Sequence, residues 1–278
     1  MKVTFWGTRG SIATASPETI GFGGDTSCVA ISGEDPEHVV ILDAGTGIRR
    51  LGDVLNGRVR RIDLLLSHLH LDHIVGLGFF APLFWADASV TIWAPPATTP
   101  LLDRLGRYLS PPLFPVRLRD LSCELELRDA SMEPVVRGAF TITAAPIIHP
   151  DTAVGYRIEA GGRVLAYLPD HEPALSPSFP SEPEWTSGAA IASEADMLVH
   201  DAQYTPDEYR ERVGWGHSSV LDSVAFAELT GARSLLLFHH DPWHDDGRVE
   251  QMARDAQRAS RGVTVTAARQ GDTLTVGA

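Results

Sequence analysis

The sequence predicts an α/β protein in which two β-sheets pack on each other with helices outside, all in one domain over residues 1–278. Three observations carry this. Short apolar, β-branched runs recur along the chain, each bounded by Gly, Pro, Asp or Ser. Stretches with helical spacing fall among those runs. The chain has 278 residues, 44% hydrophobic and 21% charged, enough for one large core and unlike a disordered or fibrous chain. Area scaling gives roughly 12,000 Å² of folded surface against roughly 44,000 Å² unfolded.

The strand candidates are residues 3–6, 28–32, 39–42, 62–66, 90–93, 140–143, 154–158, 164–167, 197–199, 235–238, 263–266 and 273–276. Ile48, Leu51 and Leu55 form one helical stripe. Val220, Val224, Ala225 and Leu229 form a second, with Ser219 and Asp222 spaced as a capping box. Val249, Met252, Ala253 and Ala256 form a third, started by Asp245 or Asp246. Residues 173–185 hold prolines at 173, 177, 180 and 183 and read as a surface loop. Arg58, Arg60 and Arg61 make the densest basic patch and read as a solvated turn before a strand.

Lys and Arg number 23 and Asp and Glu 36, a net charge of −13. Such a surplus opposes binding to nucleic-acid backbones or anionic membranes, which need clustered cations. It leaves room for a small anionic substrate held at a local positive site. Cys28 and Cys123 stand far apart with no CxxC, so two reduced thiols are expected and a disulfide framework is not. Residues 1–7 run straight into strand-like sequence, with no apolar segment before a cleavage site. The longest uncharged apolar stretch, residues 74–86, contains Pro82 and is too short to span a bilayer. A cytoplasmic protein is expected.

Most of the histidines follow strand-like runs. The centre is Ser67-His68-Leu69-His70-Leu71-Asp72-His73, directly after the strand candidate 62–66. Residues i and i+2 of an extended chain project to one side, so His68 and His70 can grip one ion. Asp72 and His73 fall where the chain turns into a helix from Ile74 onward and can reach a second ion. Imidazole with carboxylate suits Zn²⁺, with Mn²⁺ or Fe as alternatives. By position alone, His149 and Asp170 fit a ligand or a loop residue equally.

HxHxDH, preceded by Asp43-Ala44-Gly45-Thr46-Gly47, resembles the metallo-β-lactamase fold superfamily, and the resemblance runs nearly the whole chain. It implies a four-layer αββα sandwich and two divalent ions. By this resemblance one ion takes His68, His70 and His149, the other takes Asp72, His73 and His239, and Asp170 bridges them. His240 rivals His239, which is preferred because it immediately follows the apolar strand. Asp43 reads as a carboxylate that accepts from a ligand imidazole or orients the loop, or as a turn aspartate before Gly45. His171 follows Asp170 where the superfamily often has a small residue, so it either adds a polar contact or faces solvent.

The superfamily hosts β-lactamases, lactonases, thiolesterases, dioxygenases and phosphodiesterases, so the fold leaves the substrate open. His200-Asp201, Gly216-His217-Ser218-Ser219 and Phe238-His239 are similar to the C-terminal part of ribonuclease Z and related cyclic-nucleotide-type phosphodiesterases. There an acidic residue pairs with a histidine before a helix and assists departure of the alcohol. Asp201 and His217 match those positions, Asp standing for the commoner Glu, which shortens the reach. Asp72, Asp201 and His217 are the catalytic candidates. The carboxylate favours a protonated His217, whereas the following helix N-terminus opposes it. His38, His200, His240 and His244 read as structural or solvent-facing.

Trp215, Trp243 and Phe22 flank the motif loops and read as local core more readily than as base-stacking groups. Residues 21–27 are glycine-rich but lack a phosphate-loop lysine, and read as a turn walling the site. The expected activity is that of a two-metal phosphodiesterase on a small phosphodiester such as a cyclic nucleotide. A transfer-RNA-processing role is disfavoured by the charge and by the lack of an inserted arm. Lactone or β-lactam hydrolysis and iron-dependent oxygenation are the alternatives. A non-catalytic scaffold is disfavoured because every ligand position is filled. The resemblance also implies a homodimer.

Overall fold

The computed structural model describes residues 1–55, 57–173 and 182–277. Two seven-stranded sheets face each other. The first runs β14(Thr273–Thr275), β1(Lys2–Gly7), β2(Cys28–Ser32), β3(His38–Leu42), β4(Arg61–Leu65), β5(Ser89–Ala94), β6(Glu124–Asp129). The second runs β13(Thr264–Ala267), β12(Ser234–Phe238), β11(Met197–Asp201), β10(Arg163–Leu168), β9(Ala153–Ala160), β8(Phe140–Ile147), β7(Val135–Arg137). Each sheet is antiparallel on one side and parallel on the other.

Parallel neighbours need crossovers, and the helices supply them. α1(Ile48–Leu55) joins β3 to β4, α2(Leu71–Ile74) follows β4, and α3(Leu101–Gly106) follows β5. α4(Ala189–Ala192) precedes β11, α5(Pro206–Arg210) and α6(Val220–Thr230) follow it, and α7(Asp246–Ala259) joins β12 to β13. Side-chain alternation then builds the layers. Val40 and Leu42 of β3 point into the space between the sheets, with Phe5, Phe140, Tyr167 and Phe238. Val39 and Ile41 point outward onto the α1 side. Leu198, Leu235 and Leu237 point outward beneath α6 and α7. β3 and β11 are buried along their whole length, as strands covered on both faces should be. The exposed surface is 12,096 Å².

Phe140 is 1% exposed between the sheets and meets the His38 ring edge-on at 5.6 Å. Phe140→Ala should cost about 3–5 kcal/mol of stability, through lost burial plus a cavity. Urea unfolding of metal-free protein would measure it; a loss under about 1 kcal/mol would mean that the layer is not close-packed there.

Several elements depart from expectation. β6 and β7 carry no apolar run: β6 alternates Leu125 and Leu127 with charged residues, and β7 is three residues long. Each is an edge strand held by one neighbour. The short helices α3, α4 and α5 are likewise unannounced by apolar stripes. β8 continues past residue 143 through Ala144, Ala145 and Pro146 because β9 pairs with it there. Ser219 caps α6 by accepting from the Asp222 N–H at 3.2 Å, but no reciprocal bond closes a capping box. A closed box occurs instead at Thr205 and Glu208, at the start of α5. Asp245 caps α7. The proline-rich segment falls largely on 174–181, outside the described residues. Among the described residues no helix is long and apolar enough to cross a membrane.

Candidate metal centre

The site lies along one rim of the sandwich, where the ends of strands β4, β8, β10, β11 and β12 meet. His68 and His70 leave β4, and α2 starts immediately after His70. Asp72 and His73 therefore sit inside the first turn of α2, which ends at Ile74 rather than starting there. His70 has extended backbone at the cap position, so the chain turns one residue before Asp72. His149 follows β8, Asp170 follows β10, Asp201 ends β11 and His239 follows β12.

These side chains gather into two adjoining groups. His68, His70 and His149 form one, and Asp72, His73, Asp170 and His239 the other. Asp170 faces both through different oxygens. Its Oδ2 lies 3.8 Å from His68 Nε2 and 3.9 Å from His149 Nε2, and its Oδ1 lies 3.0 Å from His73 Nε2 and 3.3 Å from His239 Nε2. Asp72 Oδ2 lies 3.2 Å from both His73 Nε2 and His239 Nε2.

The surrounding hydrogen bonds set the tautomers. His73 Nδ1 donates to Asp43 Oδ2 at 2.8 Å, His149 Nδ1 to the Gly216 carbonyl at 2.9 Å, and His239 Nδ1 to Gln203 Oε1 at 3.0 Å. Each ring thus turns an Nε2 lone pair inward. His68 Nε2, His73 Nε2 and Asp170 Oδ1 are buried without a hydrogen bond. Buried polar atoms are rarely left so, and these are ligand atoms around one space. The donor set of imidazoles and carboxylates therefore fits divalent metal, with orienting partners behind it. His240 takes no part: it is buried, donates from Nε2 to the Ala268 carbonyl at 2.9 Å and packs on Phe22.

Charge and burial compete throughout. Burial alone would raise the carboxyls of Asp72 and Asp170, but the imidazoles outweigh it and hold both well below the ordinary carboxylate range. Burial and the neighbouring rings push His68 down, toward the neutral form a ligand needs.

Asp43 does both things expected of an orienting carboxylate. It accepts from His73, from the Ser67 N–H at 2.7 Å and from the Tyr167 hydroxyl at 2.9 Å. Its φ of 58° and that of His239, 61°, are left-handed, unusual for residues with a Cβ and held here by surrounding contacts. Gly216, at φ 87°, approaches the His149 ring so closely that a Cβ would collide with it.

His217 stacks on His239 at 5.0 Å, and its Nδ1 donates to Asp201 Oδ2 at 2.7 Å. The shorter acid therefore reaches. Asp201 Oδ1 accepts from the Gln203 and Ser218 N–H groups, both at 3.0 Å. Burial lowers the His217 pKa, but Asp201 outweighs it and pushes it up to about 9.

Other residues sit where the sequence did not point. Glu172 is fully buried and accepts from the Tyr209 hydroxyl at 2.8 Å, from the Gly214 N–H at 2.8 and 3.0 Å and from the Gly216 N–H at 2.8 Å. It ties down the loop that carries His217 and the carbonyl holding His149. Its spacing from Asp170 is visible in the sequence, but its partners lie some forty residues on. The Ser11 N–H donates to Asp72 Oδ2 at 2.8 Å. His171 does not face solvent: it is buried against His200, with Nδ1 2.9 Å from His200 Nε2. His38 and His244 are buried too, on Asp63 and Glu208. Phe22 is core, but Trp215 and Trp243 are 59% and 84% exposed and line a cavity beside His217. Their loops are anchored through the backbone, which leaves both rings outside. No residue of the glycine-rich turn 21–27 lines that cavity; the turn packs on Asp246 and Gln270.

A model of the beta-lactamase superfamily domain matches residues 38–240. A ribonuclease Z of Bradyrhizobium diazoefficiens is 26% identical, covering 89% of this chain and 92% of that protein. The metallo-beta-lactamase fold protein YhfI of Bacillus subtilis superposes with a TM-score of 0.72 at 21% identity, covering 98% of each chain. The short form of human tRNase Z superposes with a TM-score of 0.69 at 20% identity, covering 99% of each.

Proposed function

The chain belongs to the beta-lactamase superfamily, and from that premise we propose that it is a two-metal phosphodiesterase acting on a small phosphodiester such as a cyclic nucleotide. His68, His70 and His149 would hold one divalent ion, and Asp72, His73 and His239 the other, with Asp170 shared. Zinc suits this donor set. When bound, such a pair lowers the pKa of water and offsets charge on phosphoryl oxygens.

The observation that carries the reading is the Asp201–His217 pair set against both groups. His217 lies within ligand-atom reach of His149 and Asp170 on one side and of His239 on the other. Departure of an alkoxide needs a proton, and positioned acids typically contribute 10²–10⁴-fold. With Nδ1 held by Asp201, His217 has Nε2 to donate to the leaving oxygen. Asp201 fixes the tautomer and favours the protonated ring. Glu172 holds the loop under it. The ribonuclease Z relatives are named for cleaving RNA, which is phosphodiester chemistry. A net charge of −13 favours a small substrate over a long polyanion.

The zinc-loaded protein should hydrolyse bis(p-nitrophenyl) phosphate and leave a chromogenic cephalosporin untouched. Cephalosporin turnover without diester turnover would overturn the reading in favour of hydrolysis at carbon. Metal counted by mass spectrometry should approach two ions per chain; one iron would favour an oxygenase.

A further inference from the structure

We infer that the cavity beside His217 is the leaving-group subsite and that it takes a neutral, flat aromatic group bearing hydroxyls, the chemistry of a nucleoside. Its placement rests on the phosphodiesterase reading, since His217 protonates the leaving oxygen and the substituent on that oxygen must run along the wall His217 belongs to. The chemistry of the wall stands on its own. The cavity encloses about 570 Å³, within the range of small-molecule sites. From His217 the wall continues to Tyr204, ring to ring at 5.8 Å. Arg212 covers the Tyr204 ring at 5.2 Å and the Trp215 ring at 5.9 Å. Trp243 completes the wall. His217 and Tyr204 meet edge to face, so the wall combines aromatic rings with one planar guanidinium, a surface on which a flat base can stack.

The exposed tryptophans are also preorganised. Gly214 and Gly216 flank Trp215, and both donate to buried Glu172. The Trp243 N–H donates to Asp241 Oδ1 at 2.8 Å, and fully buried Arg9 donates to the Asp241 and His244 carbonyls. A large apolar side chain left in water on a fixed loop is the kind of surface a ligand covers. The charge of the lining selects the ligand. Glu208 and Asp241 line the cavity with Arg212 and His217, so the wall carries no surplus of cations for a second phosphate and suits a neutral, hydroxyl-rich group.

Calorimetric titration of the zinc-loaded protein tests this. Adenosine should bind at least about tenfold more tightly than ribose, because stacking supplies the difference. Trp215→Ala and Trp243→Ala should each weaken adenosine by about tenfold, with metal content unchanged. Trp185, equally exposed at 84% but outside the cavity, serves as control: Trp185→Ala should leave the affinity unchanged. Equal binding of adenosine and ribose, or wild-type affinity in both cavity variants, would overturn the inference. The readout is binding, so the two readings fail separately. Adenosine binding without diester hydrolysis would sink the catalytic reading alone. Hydrolysis without adenosine binding would sink this one alone.

Discussion

Asp170→Ala is expected to purify with little or no bound metal and to lose at least about 10³-fold in diester hydrolysis. Among the described residues Asp170 is the side chain whose two oxygens face both imidazole groups, so on the two-metal reading its loss would touch both ions at once. Metal-derived charge stabilisation is worth several kcal/mol, and each 1.36 kcal/mol is tenfold in rate. The fold should survive. Asp170 follows the end of β10, outside the three apolar clusters that hold the sheets together. Asp170→Asn is the stricter variant, because it keeps the shape and removes only the charge. Mass-spectrometric metal counts alongside initial rates would decide. A protein with wild-type metal and wild-type rate would mean that Asp170 is not shared between ions.

His217→Ala should separate chemistry from metal binding. Its metal content is expected to match wild type, because the six other ligand candidates and Asp170 are untouched. Its rate should depend on the leaving group. A diester that expels an alkoxide should slow by about 10²–10⁴-fold, the usual value of a positioned acid. Bis(p-nitrophenyl) phosphate expels a stabilised phenolate that hardly needs a proton, so it should slow by less than about tenfold. Asp201→Asn should follow the same pattern, since the 2.7 Å bond that orients the ring loses its charge. Equal losses on both diesters would exclude proton donation, and loss of metal would make His217 a ligand.

The site was more legible than the fold around it. His68, His70, Asp72 and His73 stand in one short stretch after an apolar strand, where period-two geometry and local turning bring them together. His149, Asp170 and His239 each follow a strand run, so strand-end position located them once a resemblance supplied the ligand set. His239 and His240 differ by one residue, and that step sends one ring into the site and the other onto Phe22. Most strands showed because their faces are buried. β6 and β7 did not, because an edge strand with one neighbour can be polar or very short.

Chain chemistry by itself determined the donor types, the strand ends that carry them and the layered α/β class, since these follow from residue identity and short-range periodicity. Only the tertiary structure decided which nitrogen of each imidazole faces inward, because Asp43, Gly216 and Gln203 come from distant segments. The same holds for Glu172 and its loop, and for the exposed tryptophans. Hydrogen-bond direction and solvent exposure are properties of what packs nearby, and sequence distance carries almost no information about that.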